Sequence, residues 1–161
     1  IHVNPLRLDD EIIYEMEDNL LLFFTGYSRK ASHILLDQDK RSQSNELEIF
    51  KNLDYVKKLG VMSKKALEQG DLNQFGEIMH EHWENKKNRS KGMSNEKINQ
   101  WYDIAKINGA IGGKLVGAGG GGFLMFVVND KAKLRKKMKE LKLEEVRFRF
   151  DFEGTKIMMR S

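Results

Sequence analysis

Cysteine is absent from this 161-residue chain. That absence excludes disulfides, thiolate nucleophiles and cysteine-based metal sites, and it fits a reducing compartment. Proline occurs once, at Pro5. The stretch around it, HVNPLRL (residues 2–8), suits an edge or entering strand, where a missing N–H is tolerated. No apolar run approaches the roughly 18 residues of a membrane span, and no charged-then-apolar leader opens the chain. A soluble, cytoplasmic protein with no membrane partner is therefore expected. The first residue is Ile1 rather than Met, which suits a processed chain or a piece of a longer one.

What is present points to a folded chain. Hydrophobic residues make up 40% and charged residues 32%, a globular balance in a length that can bury its own core. With no repeat, low-complexity segment or linker, residues 1–161 read as a single domain. The net charge is +4, and much of the excess lies in KAKLRKKMKELK (residues 131–142). There Ala132, Leu134, Met138 and Leu141 recur at helical spacing, so the lysines form the wet face of an amphipathic helix. The patch has no interleaved aromatics and no binding motif, so nucleic acid is not an expected partner.

Periodicity divides the chain further. DDEIIYEMEDNL (residues 9–20) carries acids in its first turn and an apolar stripe, hence a short helix. LLLFFTG (20–26) reads as a strand covered on both faces. SRKASHILLDQ begins another helix at Ser28. Two long helices fill residues 45–91, divided at Gly70, with Asp71 and Gln74 at capping-box spacing. A further helix is predicted from Ser94, as N-cap, to Asn108 and Gly109. GKLVG and FLMFVV then read as strands around a glycine loop, and Asp130 caps the basic helix. VRFRFDF (146–152) alternates with period two, and TKIMMR (155–160) would be its hairpin partner. This order predicts an α+β fold: an antiparallel sheet backed by helices on one side.

The unusual feature is the loop in KLVGAGGGGFLMFVV (residues 114–128). Gly117, Gly119 and Gly122 match G-x-G-x-x-G, but a dinucleotide site needs a helix after the loop, and here a strand follows. Only 39 residues remain after Gly122, too few for the later motifs of a protein kinase. No Gly-Lys-Ser/Thr closes a Walker-type loop. An ordinary hairpin needs one or two glycines, and each further one costs about 0.5–1 kcal/mol relative to alanine. Close approach of bare backbone to a ligand, with N–H groups directed at phosphate oxygens, is the plainest return for that cost. Lys114, three residues earlier, could reach a phosphate or be merely solvated. TGYSRK (residues 25–30) ends a strand and starts a helix, a place where anions settle; Ser28 suits a cap there, Arg29 a surface charge or a phosphate contact. Lys86 and Lys87 could bind a sugar phosphate or form a wet helix face. His80, Glu81 and His82 mimic a zinc motif, but imidazoles two residues apart point roughly 200° from each other around a helix. His33 reads as packing or surface, and no metal-ligand cluster emerges.

GGKLVGAGGGGF (residues 112–123) resembles the third motif of the GHMP kinases. LLLFFTGYSRKASHILLDQ (20–38), MHEHWENKK (79–87) and NGAIGGKL (108–115) are most similar to the bacterial D-glycero-D-manno-heptose 7-phosphate kinase branch. The resemblance implies a ferredoxin-like sheet packed against helices. It implies a kinase that uses ATP and Mg2+ to phosphorylate a sugar phosphate. The loop Gly117, Ala118, Gly119, Gly120, Gly121 and Gly122 would lie beside the phosphates, with Ser28, Arg29, Lys114, Lys86 and Lys87 toward the acceptor. The family's serine- and glycine-rich ATP loop and its usual aspartate base do not occur here. The chain therefore resembles the C-terminal domain alone, inactive by itself, with the base on a missing N-terminal domain. The alternative is a stand-alone module that binds an anion or sugar phosphate without catalysis.

Overall fold

Helix α1 (Asp10–Asn19) runs without a loop into strand β1 (Leu20–Phe24) in the computed structural model, which describes residues 4–27, 47–87, 92–117 and 120–155. Then come α2 (Leu47–Glu68), α3 (Leu72–Lys87), α4 (Glu96–Ile107), β2 (Ala110–Val116), β3 (Phe123–Val128), α5 (Lys131–Glu140) and the two-residue β4 (Glu144–Glu145). The expected helix from Ser28 and residues 156–160 of the expected partner strand (155–160) lie outside the described residues. No described helix is long and apolar enough to cross a membrane.

The helix boundaries follow local chemistry. Gly70, at φ +67°, turns the chain out of α2, and the Asp71 carboxylate accepts the Gln74 N–H at 2.8 Å to start α3. Asp130 caps α5 through the Lys133 N–H at 2.9 Å. The cap of α4 is Asn95, not Ser94: its side chain accepts the Ile98 N–H at 2.9 Å. The Ser94 hydroxyl instead lies 2.7 Å from the Asn99 side-chain oxygen. Asn95 sits one residue closer to the first free N–H groups, where a short side-chain acceptor fits best.

The sheet is antiparallel in the order β2-β3-β1-β4, the ferredoxin-like arrangement. Pairing of Leu21 with Phe126, Phe23 with Leu124 and Leu124 with Leu115 sends these side chains to one face. There they pack with Trp101, Tyr102, Leu134 and Met138 from α4 and α5. The intervening residues Leu20, Val127 and Met125 face the other way, toward Met16, Leu72 and Met79. Helices thus cover both faces rather than one, because β1 and β3 carry apolar residues at consecutive positions.

Two expected strands do not form. Residues 4–9 adopt neither helix nor strand; Pro5 among them has no N–H to give to a ladder. After Glu144–Glu145 the chain makes one further sheet bond, Val146 N–H to the Leu22 carbonyl at 2.8 Å, and then leaves. The Glu17 carboxylate accepts the Phe150 N–H at 2.8 Å, in place of a strand partner. In this register Leu20 would face residue 148, and beyond it the neighbouring chain is helix α1, so no ladder is left for residues 149–152; residues 146–148 line a cavity with Leu20 and Leu21 as the chain diverges from β1.

Helix α3 lies against β2 because both are bare at the crossing. A methyl on Gly112 would run into the carbonyl of Gly76, and one on Gly76 would come within 2.9 Å of Ile111. A β-bulge at Ile111 accompanies this contact.

Candidate functional site: the glycine hairpin and its supports

The β2–β3 register brings Val116 opposite Phe123, leaving residues 117–122 as the connection. Gly117, Gly120 and Gly122 have φ of +128°, +70° and +113°, a region that L side chains rarely enter. Two separate segments hold the second half of the loop. The Gly120 N–H donates to the Met93 carbonyl at 2.9 Å and the Gly122 N–H to the Tyr27 carbonyl at 2.9 Å. The Gly122 carbonyl accepts from the Thr25 N–H at 3.0 Å and the Thr25 hydroxyl at 2.8 Å. A side chain on Gly121 would strike the Tyr27 backbone. Part of the glycine content thus serves close packing of backbone on backbone, and two of the loop's N–H groups are spent on the protein itself. Ala118 and Gly119 lie outside the described residues, as do Ser28, Arg29 and His33.

At the loop entrance the Lys86 ammonium donates to the Gly117 carbonyl at 3.0 Å and to the Leu115 carbonyl at 3.5 Å. Lys87, one residue on, pairs with Glu84 at 2.6 Å and lies 5.8 Å from the centre of the Trp83 ring. Lys114 points to the face opposite Leu115. It lines a largely apolar groove of about 260 Å³ with Leu59, Phe75, Met79, His82 and Met125. The structure thus brings Lys86 to the loop, places Lys87 on the α3 surface beside Trp83, and sets Lys114 in a separate groove.

Behind the loop, the Tyr102 hydroxyl bridges the outer side of β2. It accepts the Gly113 N–H at 3.2 Å, reaches the Gly113 carbonyl at 3.0 Å and lies 2.9 Å from His80 Nδ1. All three contacts are met at once when His80 carries its proton on Nδ1 and the hydroxyl donates to Gly113. Burial is the main cause that lowers the His80 pKa below 6.5, with Lys106 adding to it, so the neutral imidazole is favoured. Burial likewise pushes the Tyr102 phenol well above 10 and keeps it protonated. Among the described residues no group of three or more His, Asp or Glu side chains is gathered as metal ligands. His80 and His82 diverge as their spacing predicted, toward Tyr102 and the Lys114 groove.

The family model for GHMP kinases C terminal matches residues 63–144, which include α3, α4 and the whole glycine hairpin. This chain belongs to the GHMP kinase family. Among curated relatives of this GHMP kinase chain, a D-glycero-alpha-D-manno-heptose 7-phosphate kinase from Campylobacter jejuni is 33% identical over 157 residues, 96% of this chain and 45% of the relative. A bifunctional fucokinase/GDP-fucose pyrophosphorylase from Arabidopsis thaliana is 31% identical over 143 residues, 87% of this chain and 14% of the relative. The crystal structure of a D-glycero-D-manno-heptose 1-phosphate kinase from Bacteroides thetaiotaomicron superposes with a TM-score of 0.54 at 27% identity, covering 92% of this chain and 38% of that one. The chain spans less than half the length of each.

Sequence reasoning found the loop but missed what holds it. Thr25 is a buried polar residue, 3% exposed, in a stretch whose apolar neighbours read simply as strand; a lone threonine before a glycine was the available signal. Met93 and Tyr27 act through backbone carbonyls, which no residue pattern reveals. Tyr102 lies among apolar residues on α4, and no local pattern marks its hydroxyl as the partner of a strand edge.

Proposed function

We propose that this chain is the C-terminal domain of an ATP-dependent kinase that transfers a phosphoryl group to a hydroxyl of a sugar phosphate, with heptose 7-phosphate as the acceptor. The supporting observation is the glycine hairpin itself, whose Gly117, Gly120 and Gly122 are bonded to Lys86, Met93, Tyr27 and Thr25, within a chain that matches a heptose 7-phosphate kinase over 96% of this chain's residues.

Phosphoryl transfer needs little covalent help from protein and much positioning and charge stabilisation. Residues Gly117 to Gly122 supply backbone that a phosphate can approach closely, and Lys86 puts a positive charge at the entrance. The donor chemistry belongs to ATP with its Mg2+. The described residues offer loop backbone and the Lys86 ammonium beside it, and no carboxylate cluster is gathered among them; the family resemblance assigns the base to the N-terminal domain of the complete enzyme. Ser28, Arg29, Lys114 and Lys87 are the acceptor-side candidates, with Arg29 suited to a bidentate grip on a sugar phosphate.

The test is ATP consumption by the complete kinase against heptose 7-phosphate, fucose and unphosphorylated sugars, alongside the isolated 161 residues. Turnover is expected with the heptose phosphate and only in the complete enzyme. Preference for an unphosphorylated sugar would overturn the acceptor assignment, and no turnover with any sugar would overturn the kinase. Calorimetric binding of a sugar phosphate, with no turnover even in the complete protein, would favour the non-catalytic module.

A further inference from the structure

Along the outer side of β2 the carbonyls of Ile111, Gly113, Leu115 and Gly117 recur at every second residue, a row that in an edge strand would face solvent or another chain. Here each is met by a side chain. Lys106 takes Ile111, the Tyr102 hydroxyl takes Gly113, and Lys86 takes both Leu115 and Gly117. Lys86 therefore straddles the point where the strand ends at Val116 and the glycine loop begins. Gly117 leaves the strand at φ +128°, so nothing in the ladder itself holds its carbonyl. The exit of the loop is held by Thr25 and its crest by Met93; the described support at the entrance comes from Lys86, reaching across from the last turn of α3.

We infer that Lys86 is a positioning residue for the phosphate-side loop: its ammonium fixes the Gly117 carbonyl and so sets the direction in which the glycines leave β2. This rests on the phosphoryl-transfer reading above and gives Lys86 a role different from direct grip on the acceptor. The two roles separate experimentally, because a contact to the acceptor acts through binding whereas a strut under the loop acts on alignment of the transferred group. A misplacement of about 1 Å in such a group costs on the order of a hundredfold in rate.

The experiment compares Lys86→Met and Lys86→Arg in the complete kinase by steady-state kinetics, and in the same protein by amide hydrogen exchange at Gly120 and Gly122. Lys86→Met keeps the apolar stem while removing the donors. It is expected to lower kcat by about 10- to 100-fold with the acceptor KM within about threefold. Exchange at the two glycine amides is expected to speed up by about tenfold. Lys86→Arg, which retains donors, should restore most of both. Unchanged exchange in Lys86→Met would overturn the inference, as would a rise in acceptor KM with kcat intact, which would mark a substrate contact instead. If the parent enzyme turns over no sugar, the kinase reading fails and the exchange measurement alone decides the role of Lys86.

Discussion

Replacing Tyr102 by Phe removes one oxygen atom and leaves the ring, so its effect isolates the hydroxyl. Tyr102 is 1% exposed, and its ring packs between Trp83 and Phe126 at centroid distances of 5.9 and 5.4 Å. Phenylalanine keeps those contacts. What it loses is the partner of the Gly113 N–H, of the Gly113 carbonyl and of His80 Nδ1. A buried polar group left without a partner costs about 1–3 kcal/mol. Gly113 contributes two such groups, while phenylalanine no longer has a hydroxyl to desolvate, so a net loss of about 2–4 kcal/mol is expected. At about 2–4 °C per kcal/mol for a chain of this size, the melting temperature should fall by about 5–15 °C. Urea unfolding followed by tryptophan emission reads the change, because buried Trp83 lies beside the altered ring. The midpoint should drop with the slope m unchanged. A change below about 0.5 kcal/mol would refute the reasoning, since it would mean that Gly113 finds water or another donor as readily as this hydroxyl.

Two further outcomes are expected. Gly112→Ala should cost more stability than Gly76→Ala, about 1–3 kcal/mol or above. The first methyl meets rigid backbone of α3, whereas the second meets the Ile111 and Val127 side chains at 2.9 and 3.0 Å, which can shift; thermal unfolding that ranks the two equally or in reverse would contradict the helix–strand contact. For His80, whose pKa is lowered from 6.5 chiefly by burial and then by Lys106, with Lys87 lowering it further and Glu84 and Asp103 acting in the opposite direction, the unfolded chain takes up a proton before the folded one does. Stability should therefore decline as pH falls from about 6.5 toward the depressed value, level off below it, and show no pH dependence from His80 above 6.5. Comparing urea unfolding of the parent and His80→Gln between pH 7.5 and 5 checks this; the variant should lose that part of the slope, and an identical slope in both would count against it.

Most of the elements were legible because their signals are local. The αα break at Gly70 and Asp71, the Asp130 cap and the two strands around the glycines each depend on a few neighbouring residues, and the structure places them as their spacing predicts. VRFRFDF failed as a strand despite its strict alternation, since a strand needs a partner along its length, and in the β1–β4 register that partner becomes helix α1 beyond residue 148. Alternation reports which residues could share a face, and here the rings of Phe148, Phe150 and Phe152 do follow one another at 5.8 and 6.5 Å. It does not report whether a neighbouring edge exists.

The site divides in the same way. Sequence alone determined that a glycine hairpin joins two apolar strands, that neither a helix nor a Walker lysine follows it, and that it resembles a GHMP kinase motif; each of these is written in consecutive residues. Only the tertiary structure decided what the glycines touch. Lys86 is 31 residues from Gly117, and Thr25 is 97 residues from Gly122. Such pairs meet only when α3 settles on β2 through the bare backbone of Gly76 and Gly112 and β1 pairs beside β3. Those contacts are largely to main-chain carbonyls, which every residue possesses, so no choice of side chain at the accepting end could have announced them.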